Sequence, residues 1–431
     1  MRVVIAGQGY VGLPLAVRAA QVGHAVVGFD VDEERIKRLA AGESYVDDVP
    51  SAELREILYQ PTADDRSTTS VAAGTFRPSS DPRACAGFDV AVIAVPTPLR
   101  EGTPDLNYIE QSARTLARYL RPGATVALES TTYPGTTTDL VAPLLEEGSG
   151  LVAGVDFHLG YSPERIDPGN REWNLVTTPK VVSGINPASL ERIQAFYGSL
   201  VETTVPVADC QTAELAKLLE NTFRHVNIAL VNELAVFAHD LGIDVWEAIG
   251  AASSKPFGFM RFVPGPGVGG HCLPIDPSYL SWRVQRTLGQ SFRFVELAND
   301  INNHMPDYVV RRLVAALNQR RKAVNGSTIL LLGLAYKKNT GDARESPSRR
   351  VAALLLDMGA DVRAADPHVV EDAHIDRRVV RVALTPEQVA AADAVVLLAD
   401  HDAFDLDMVR EHATYVLDTR RRLTGPTVES L

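Results

Sequence analysis

The run Val3-Val4-Ile5-Ala6-Gly7-Gln8-Gly9-Tyr10-Val11-Gly12-Leu13-Pro14 decides how this chain folds. Four apolar residues make a strand, and the glycines after them stand where a strand turns sharply into a helix. Gly7 permits the tight turn, Gly9 lets the backbone approach a pyrophosphate, and Gly12 lets helix and strand pack closely. Tyr10 and Val11 fall between them, at the helix N-terminus that favours an anion. Pro14 lies in the first helical turn, where its missing N–H costs little. Asp30 ends the next strand, roughly 18 residues after Gly12, and a carboxylate there accepts from ribose hydroxyls and repels a 2′-phosphate. The pattern predicts a dinucleotide site that takes NAD rather than NADP.

Working outward, strand-like runs recur at Ala25–Asp30, Asp89–Val95, Ala124–Glu129 and Val155–Tyr161. Helical patterns such as Leu13–Val22 and Glu33–Ala41 fill the gaps, which predicts a parallel sheet wound on both faces. Pro61–Ser80 reads as a loop-rich insertion. A long helix is expected from about Thr212 to Leu241, with Gly242 as its stop. Glu214, Lys217, Asn221 and Arg224 share one face of it, either a solvated side or the lining of a wet site. A second α/β unit starts near Asn325, with strands at Ile329–Gly333, Asp361–Ala365, Ala394–Ala399 and Tyr415–Leu417 and a helix at Ser346–Met358. It lacks the glycine fingerprint, so the dinucleotide belongs to the first unit and a different ligand to the second.

Bulk composition narrows the function. The chain has 431 residues, 45% of them hydrophobic and 22% charged, which predicts two or three globular domains. A net charge of −12 argues against nucleic-acid binding. No apolar run approaches ~18 residues, so no membrane span is expected. The N-terminus enters a strand directly and does not read as a signal peptide. Cys85, Cys210 and Cys272 are odd in number and far apart, which fits a cytoplasmic protein without disulfides. No Cys or His cluster has metal-ligand spacing, so no metal is expected.

The loop Pro264-Gly265-Pro266-Gly267-Val268-Gly269-Gly270-His271-Cys272-Leu273-Pro274-Ile275-Asp276-Pro277 carries the second chemical signal. Its glycines are read as leaving room for a ligand to approach Cys272, with Asp276 and Lys217 available to orient a water, hold an alkoxide or tune the thiol. A thiolate beside a nicotinamide site can trap an aldehyde, lose hydride and leave a thioester for hydrolysis.

With these motifs in order, the chain resembles the UDP-glucose/GDP-mannose dehydrogenase family across essentially its whole length. The resemblance rests on Gly7–Gly12, Val95-Pro96-Thr97-Pro98, Glu129-Ser130-Thr131-Thr132, Tyr161-Ser162-Pro163-Glu164-Arg165, Glu214–Asn221, Gly265–Asp276 and Gly333–Pro347. It implies two Rossmann-like, doubly wound parallel-sheet domains joined by a long central helix: an NAD-binding domain at 1–205, a helical dimerisation domain with the Cys loop at 206–310, and a nucleotide-sugar domain at 311–431. It implies oxidation of C6 of a nucleotide sugar from alcohol to carboxylate with two NAD and one water, in a homodimer built on the central helix. Ligands are expected between the two α/β units.

The same resemblance implies the site residues. Cys272 is the nucleophile, Lys217 and Asn221 stabilise oxyanions, Asp276 activates water with Thr131, and Glu164 is the partner acid/base in thioester hydrolysis. The NAD set is Gly7, Gly9, Tyr10, Val11, Gly12, Asp30, Arg35, Pro96, Thr97, Thr131 and Arg344. The substrate set is Glu164, Arg165, Lys217, Asn221, Arg224, Gly269, Lys337 and Arg420, with Arg261 reaching the substrate of a partner subunit. The segments around Asn221 and Cys272 are most similar to the UDP-N-acetylmannosamine/glucosamine branch. Lys255–Val263 departs from that branch, which keeps UDP-glucose and TDP-glucose as alternatives. A single-hydride 3-hydroxyacid-type dehydrogenase and a non-catalytic NAD or nucleotide-sugar sensor are the rival classes.

Overall fold

The computed structural model describes residues 1–46, 48–60, 71–100, 102–166, 170, 172–270, 273, 275–370 and 375–431. They divide into two compact units, Met1–Glu220 and Asn221–Leu431. Among the described residues no helix is long and apolar enough to cross a membrane.

The first unit is built on eight strands: β1 Arg2–Ala6, β2 Ala25–Phe29, β3 Thr75–Ser79, β4 Val90–Ile93, β5 Thr125–Leu128, β6 His158–Tyr161, β7 Lys180–Gly184 and β8 Thr204–Pro206. Their order in the sheet is β8-β7-β6-β5-β4-β1-β2-β3. Val90–Ile93 and Thr125–Leu128 are buried throughout, as continuous apolar strands covered on both faces must be. Every neighbouring pair is parallel except β6 with β7, which run antiparallel through Gly160↔Gly184 and Tyr161↔Ser183. The antiparallel step brings the start of β7 to the carboxyl end of β6. β3 corrects the loop expected at Pro61–Ser80, of which residues 61–70 lie outside the described residues. Its sequence Thr-Phe-Arg-Pro-Ser looks unlike a strand, but at the sheet's edge a proline loses no ladder bond.

The helices that bear on the site are α1 Gly12–Gln21, α2 Glu33–Ala40, α3 Asn107–Ala117, α4 Pro187–Gly198, α5 Cys210–Asp240, α6 Asp276–Leu288, α7 Arg293–Gln319 and α8 Pro347–Asp357. α5 is the long helix expected from sequence, and Gly242 follows it in the left-handed region at φ +70°. α7 was not foreseen. Pro306 lies in its interior, where a proline usually marks a break.

The second unit holds β9 Thr328–Leu332, β10 Asp361–Ala365, β11 Val380–Arg381, β12 Ala394–Leu397, β13 Val416–Asp418 and β14 Val428–Ser430. Their order is β11-β10-β9-β12-β13-β14, parallel throughout. This is the second Rossmann-like sheet. Ser346 caps α8 by accepting from the Ser348 N–H, and Gly359 at φ +83° ends the turn after it.

Candidate active site

The dinucleotide fingerprint lies at the carboxyl end of β1. Gly7 has φ +92°, and a Cβ there would stand 2.5 Å from the Ala94 carbonyl oxygen. A Cβ on Gly12 would strike the Gly7 carbonyl at 1.8 Å, whereas one on Gly9 would meet nothing within 4 Å. Gly7 and Gly12 are therefore packing requirements, and Gly9 is the open approach. Val11 is the cap residue of α1, whose N-terminus receives no side-chain hydrogen bond, and Tyr10 is exposed. An anion can thus meet the first N–H groups of α1.

Asp30 is buried beside this turn. Its Oδ2 accepts from the Gln8 N–H at 2.7 Å and from Arg35 Nη1 at 2.9 Å, and Oδ1 accepts from the Asp32 N–H at 3.0 Å. Roughly four acceptor positions exist on a carboxylate, so Asp30 keeps capacity for a ribose hydroxyl. The Tyr45 hydroxyl donates to the Gln8 carbonyl, and Arg35 and Arg38 lie over its ring. A cleft of about 410 Å³ is lined by Gly7, Asp30, Arg35, Pro96, Tyr108 and Ser112 among others. Thr97 is buried next to Pro96. These residues fit a dinucleotide.

Behind the carboxyl ends of β5 and β6 lies a buried ionic cluster. Lys180, the first residue of β7, donates to Glu129 Oε1 at 2.6 Å, to Glu164 Oε2 at 3.4 Å and to the Pro163 carbonyl at 3.2 Å. The Tyr197 hydroxyl of α4 bonds Glu129 Oε2 at 2.6 Å. Glu164 Oε1 accepts from the Arg165 and Ile166 N–H groups, each at 2.6 Å. Burial acts to raise Glu164, but Lys180, the Glu129 carboxyl, the Ile166 N–H and Lys217 overcome it and hold Glu164 below the usual carboxylate range. Glu129, wholly enclosed, is raised by burial and by the charge of Glu164 despite Lys180. Arg165 pairs with Glu220 at 2.7 Å and donates to the Pro179 carbonyl. Thr131 follows β5 and is half-buried.

Along α5, Lys217 and Asn221 are buried and Arg224 is exposed. The face shared by these residues is thus neither uniformly solvated nor uniformly lining. Glu214, also on it, takes a structural place: it accepts from the N–H groups of Gly135 and Thr137 and from the Thr137 hydroxyl.

In the second unit Asn221 donates to Asp276 Oδ2 at 2.6 Å, so α5 and the first residue of α6 meet. Asn232 and Asn302 bond each other at 2.9 Å, and Asn232 accepts from the Gly265 N–H at 2.9 Å. At the glycines that follow, the space a side chain would take is filled by protein rather than left open for a ligand. A Cβ on Gly269 would stand 2.7 Å from Glu345 O and from Tyr336 Cβ, and one on Gly270 (φ +83°) 2.8 Å from the Tyr336 ring. The loop is glycine-rich because the 336–347 segment packs directly on it. His271 and Cys272 lie outside the described residues. Burial pushes the Cys85 and Cys210 thiols up to about 12, so neither is a nucleophile near neutral pH.

Arg261 and Arg420 line one cavity of about 620 Å³ with Trp246 and Arg422. Arg420 Nε donates to the Leu398 carbonyl at 2.7 Å. Lys337 is half-buried, and Arg344 pairs with Asp342 at 2.7 Å. Among the described residues no group of His, Cys, Asp or Glu is arranged to hold a metal.

The residues not foreseen are Glu129 as a buried ionic partner, Lys180, Tyr197 and Tyr45. A signal for Lys180 was present: a lone lysine leads the apolar run Val181-Val182, and a cation at the mouth of a buried strand needs partners.

Two α/β units, a dinucleotide turn and a buried Asn221–Asp276 pair, its aspartate four residues after Cys272 in sequence, point to a nucleotide-dependent oxidoreductase, and comparison with known proteins places it. Three profiles of one family match in order: the NAD binding domain at residues 1–201, the central domain at 211–304 and the UDP binding domain at 330–425. The chain belongs to the UDP-glucose/GDP-mannose dehydrogenase family. It is 36% identical over 404 residues to the UDP-N-acetyl-D-mannosamine dehydrogenase of Pyrococcus horikoshii, covering 94% of this chain and 90% of that one. It is 37% identical over 407 residues to the UDP-N-acetyl-D-glucosamine 6-dehydrogenase of Pseudomonas aeruginosa, covering 94% and 91%. A solved structure of UDP-D-ManNAc dehydrogenase from Pyrococcus horikoshii matches with a TM-score of 0.87 at 32% identity, over 100% of this chain and 99% of that one. The activity is that of an NAD-dependent nucleotide-sugar 6-dehydrogenase.

Proposed function

We propose that the substrate is a UDP-N-acetylhexosamine and that its C6 hydroxymethyl is oxidised to a carboxylate through a thioester on Cys272. Support for the sugar comes from the names of the two relatives, each an N-acetylhexosamine enzyme over nine-tenths of this chain. Support for the residue roles comes chiefly from one contact. Asn221 and Asp276, 55 residues apart, meet at 2.6 Å, which ties the helix carrying Lys217 to the segment that follows Cys272.

NAD, held by the β1–α1 turn, Asp30, Arg35, Pro96, Thr97 and Arg344, supplies the hydride acceptor. Lys217 and Asn221 are donors for the alkoxide of the first oxidation and for the thiohemiacetal oxygen that forms when Cys272 adds to the aldehyde. Asp276 and Thr131 place the water that cleaves the thioester, and Glu164 accepts its proton. The thiol is regenerated as the acid leaves. Lys337, Arg165, Arg224, Gly269 and Arg420 bind the nucleotide sugar.

The division of labour we propose is NAD binding at 1–205, dimerisation and the Cys loop at 206–310, and sugar-nucleotide binding at 311–431. Phe223, Leu230, Leu234, Phe237 and Leu241 stand exposed on or just after α5, a stripe suited to a second copy of the chain. Arg261 would then serve the partner's substrate. The free, buried Cys85 and Cys210 suit a cytoplasmic setting.

The test is kcat/KM across UDP-N-acetylmannosamine, UDP-N-acetylglucosamine, UDP-glucose and TDP-glucose, with product acids identified. The reading predicts one of the N-acetyl sugars ahead by at least ~100-fold, the scale of losing well-placed polar contacts. Preference for either glucose nucleotide would overturn it.

A further inference from the structure

Two buried carboxylates share a single lysine behind the carboxyl ends of β5 and β6, and this cluster carries an inference about Glu164. Lys180 is 4% exposed and Glu129 1%. Each arrives from a different element: Glu129 from the end of β5, Glu164 from the segment after β6, Lys180 from the start of β7 and Tyr197 from α4. The antiparallel setting of β7 matters here. Were β7 parallel to its neighbour, Lys180 would lie at the opposite edge of the sheet.

Lys180, the one cation bonded to both enclosed carboxylates, cannot balance the two by itself, which favours holding one of the pair as the neutral acid. The two are not equivalent. Glu164 has two backbone N–H donors on Oε1, bonds that are stronger to a carboxylate than to a neutral acid, and its Oε2 also accepts from Lys180. Lys217 on α5 adds a second positive charge towards it. Glu129 takes the shorter Lys180 contact on Oε1, 2.6 Å against 3.4 Å for Glu164, and its Oε2 faces the Tyr197 hydroxyl, which can donate to a carboxylate or accept from a carboxylic acid. Among the described residues, the neighbouring Arg165 is paired with Glu220.

We propose that Lys180, Glu129 and Tyr197 are positioning residues that act through Glu164: Lys180 fixes it as the ionised member of the pair, and Glu129, bonded to Tyr197, is the member that carries the proton. Glu164 is thereby kept as a ready base for the hydrolytic half of the reaction, and a base of this kind loses activity only as pH falls through its own ionisation. The inference rests on the role given to Glu164 above.

The experiment separates the two. Wild type and Glu164→Ala are first compared in rapid mixing with NAD and the preferred sugar nucleotide. Glu164→Ala should keep the early NADH burst and lose steady turnover by at least ~100-fold; loss of neither would overturn the assignment of Glu164 itself. Then kcat is followed against pH for Lys180→Met and Lys180→Arg. Lys180→Met should move the acid limb up by ~1–2 pH units with the burst intact, the size of losing an adjacent opposite charge, and Lys180→Arg should restore it. If Lys180→Met fails to fold, the double variant Lys180→Met/Glu129→Gln, which replaces the lysine and the neutral acid bonded to it together, should show the same shift. A rate lowered equally at every pH, with the limb in place, would reduce Lys180 to a structural residue and overturn the proposal.

Discussion

At the scale of single residues, we propose that Asp30 decides which dinucleotide is accepted. Its carboxylate holds the Gln8 N–H and the Arg35 guanidinium at once. Replacing it with alanine removes a ribose acceptor and frees a cation suited to a 2′-phosphate. Asp30→Ala should lower kcat/KM for NAD by ~30–100-fold, about 2–3 kcal/mol, and raise the relative use of NADP; an unchanged NAD/NADP ratio in steady-state assays would contradict the assignment. Asp30 was legible because strand, turn, helix and spacing all agree on it. Lys180 was not, because its meaning depends on Glu129 and Glu164, 51 and 16 residues away in sequence. Arg165 was legible as part of Ser-Pro-Glu-Arg, yet its ion pair with Glu220 could not be read from either segment alone.

At the scale of elements, two loops of the second unit are fixed by contacts that make sharp predictions. Gly270 combines φ +83° with a Tyr336 ring that would stand 2.8 Å from any Cβ placed there. Gly270→Ala should cost ~2–3 kcal/mol through strain and overpacking, seen as a lower thermal midpoint. With the residue two before Cys272 displaced, turnover should fall at least ~10-fold. A midpoint and rate equal to wild type would show that the glycine is incidental.

Asp366, just past β10, anchors the loop that carries Lys337. Its carboxylate accepts from the N–H groups of Leu334, Ala335, His368 and Val369 and from His401 Nε2. His401 Nδ1 accepts from the Asn339 N–H, so the proton of the neutral ring sits on Nε2. Burial acts to raise Asp366, but the His401 bond and the backbone donors hold it far below its ordinary 3.8. Its stabilisation is therefore present above that ordinary value and is lost as pH falls below it. Asp366→Asn, which turns an amide against donors, should cost ~2–4 kcal/mol at neutral pH. It should also flatten the acid side of the stability curve in denaturant titrations below about pH 4. A variant with the wild-type acid dependence would show that other carboxylates govern that limb.

The long helix was legible to within two residues because capping glycine and apolar periodicity agree. α7 and the strand β3 were not: Pro306 and Pro78 read as breaks, and only packing shows that an edge position and a long helix tolerate them.

For the whole molecule, two largely parallel sheets of different loop chemistry assign two ligands to one chain, and this was visible from the glycine fingerprint in one and its lack in the other. The antiparallel strand β7 was not visible, since no residue pattern separates parallel from antiparallel pairing in a buried strand. The exposed apolar stripe on α5 predicts a homodimer. Leu230→Asp/Phe237→Asp should shift the mass in light scattering from two chains towards one, while each unit stays folded by circular dichroism. An unchanged mass would place the interface elsewhere.

The central claim is a four-electron oxidation through Cys272. The most direct test is NADH formed per mole of sugar nucleotide consumed, for wild type and Cys272→Ser, with the sugar product identified by mass. Wild type should give two NADH and a carboxylate, and Cys272→Ser should lose complete four-electron turnover, because a serine hydroxyl is a far poorer nucleophile at neutral pH. One NADH and an aldehyde from wild type, or two NADH and full turnover from Cys272→Ser, would contradict it.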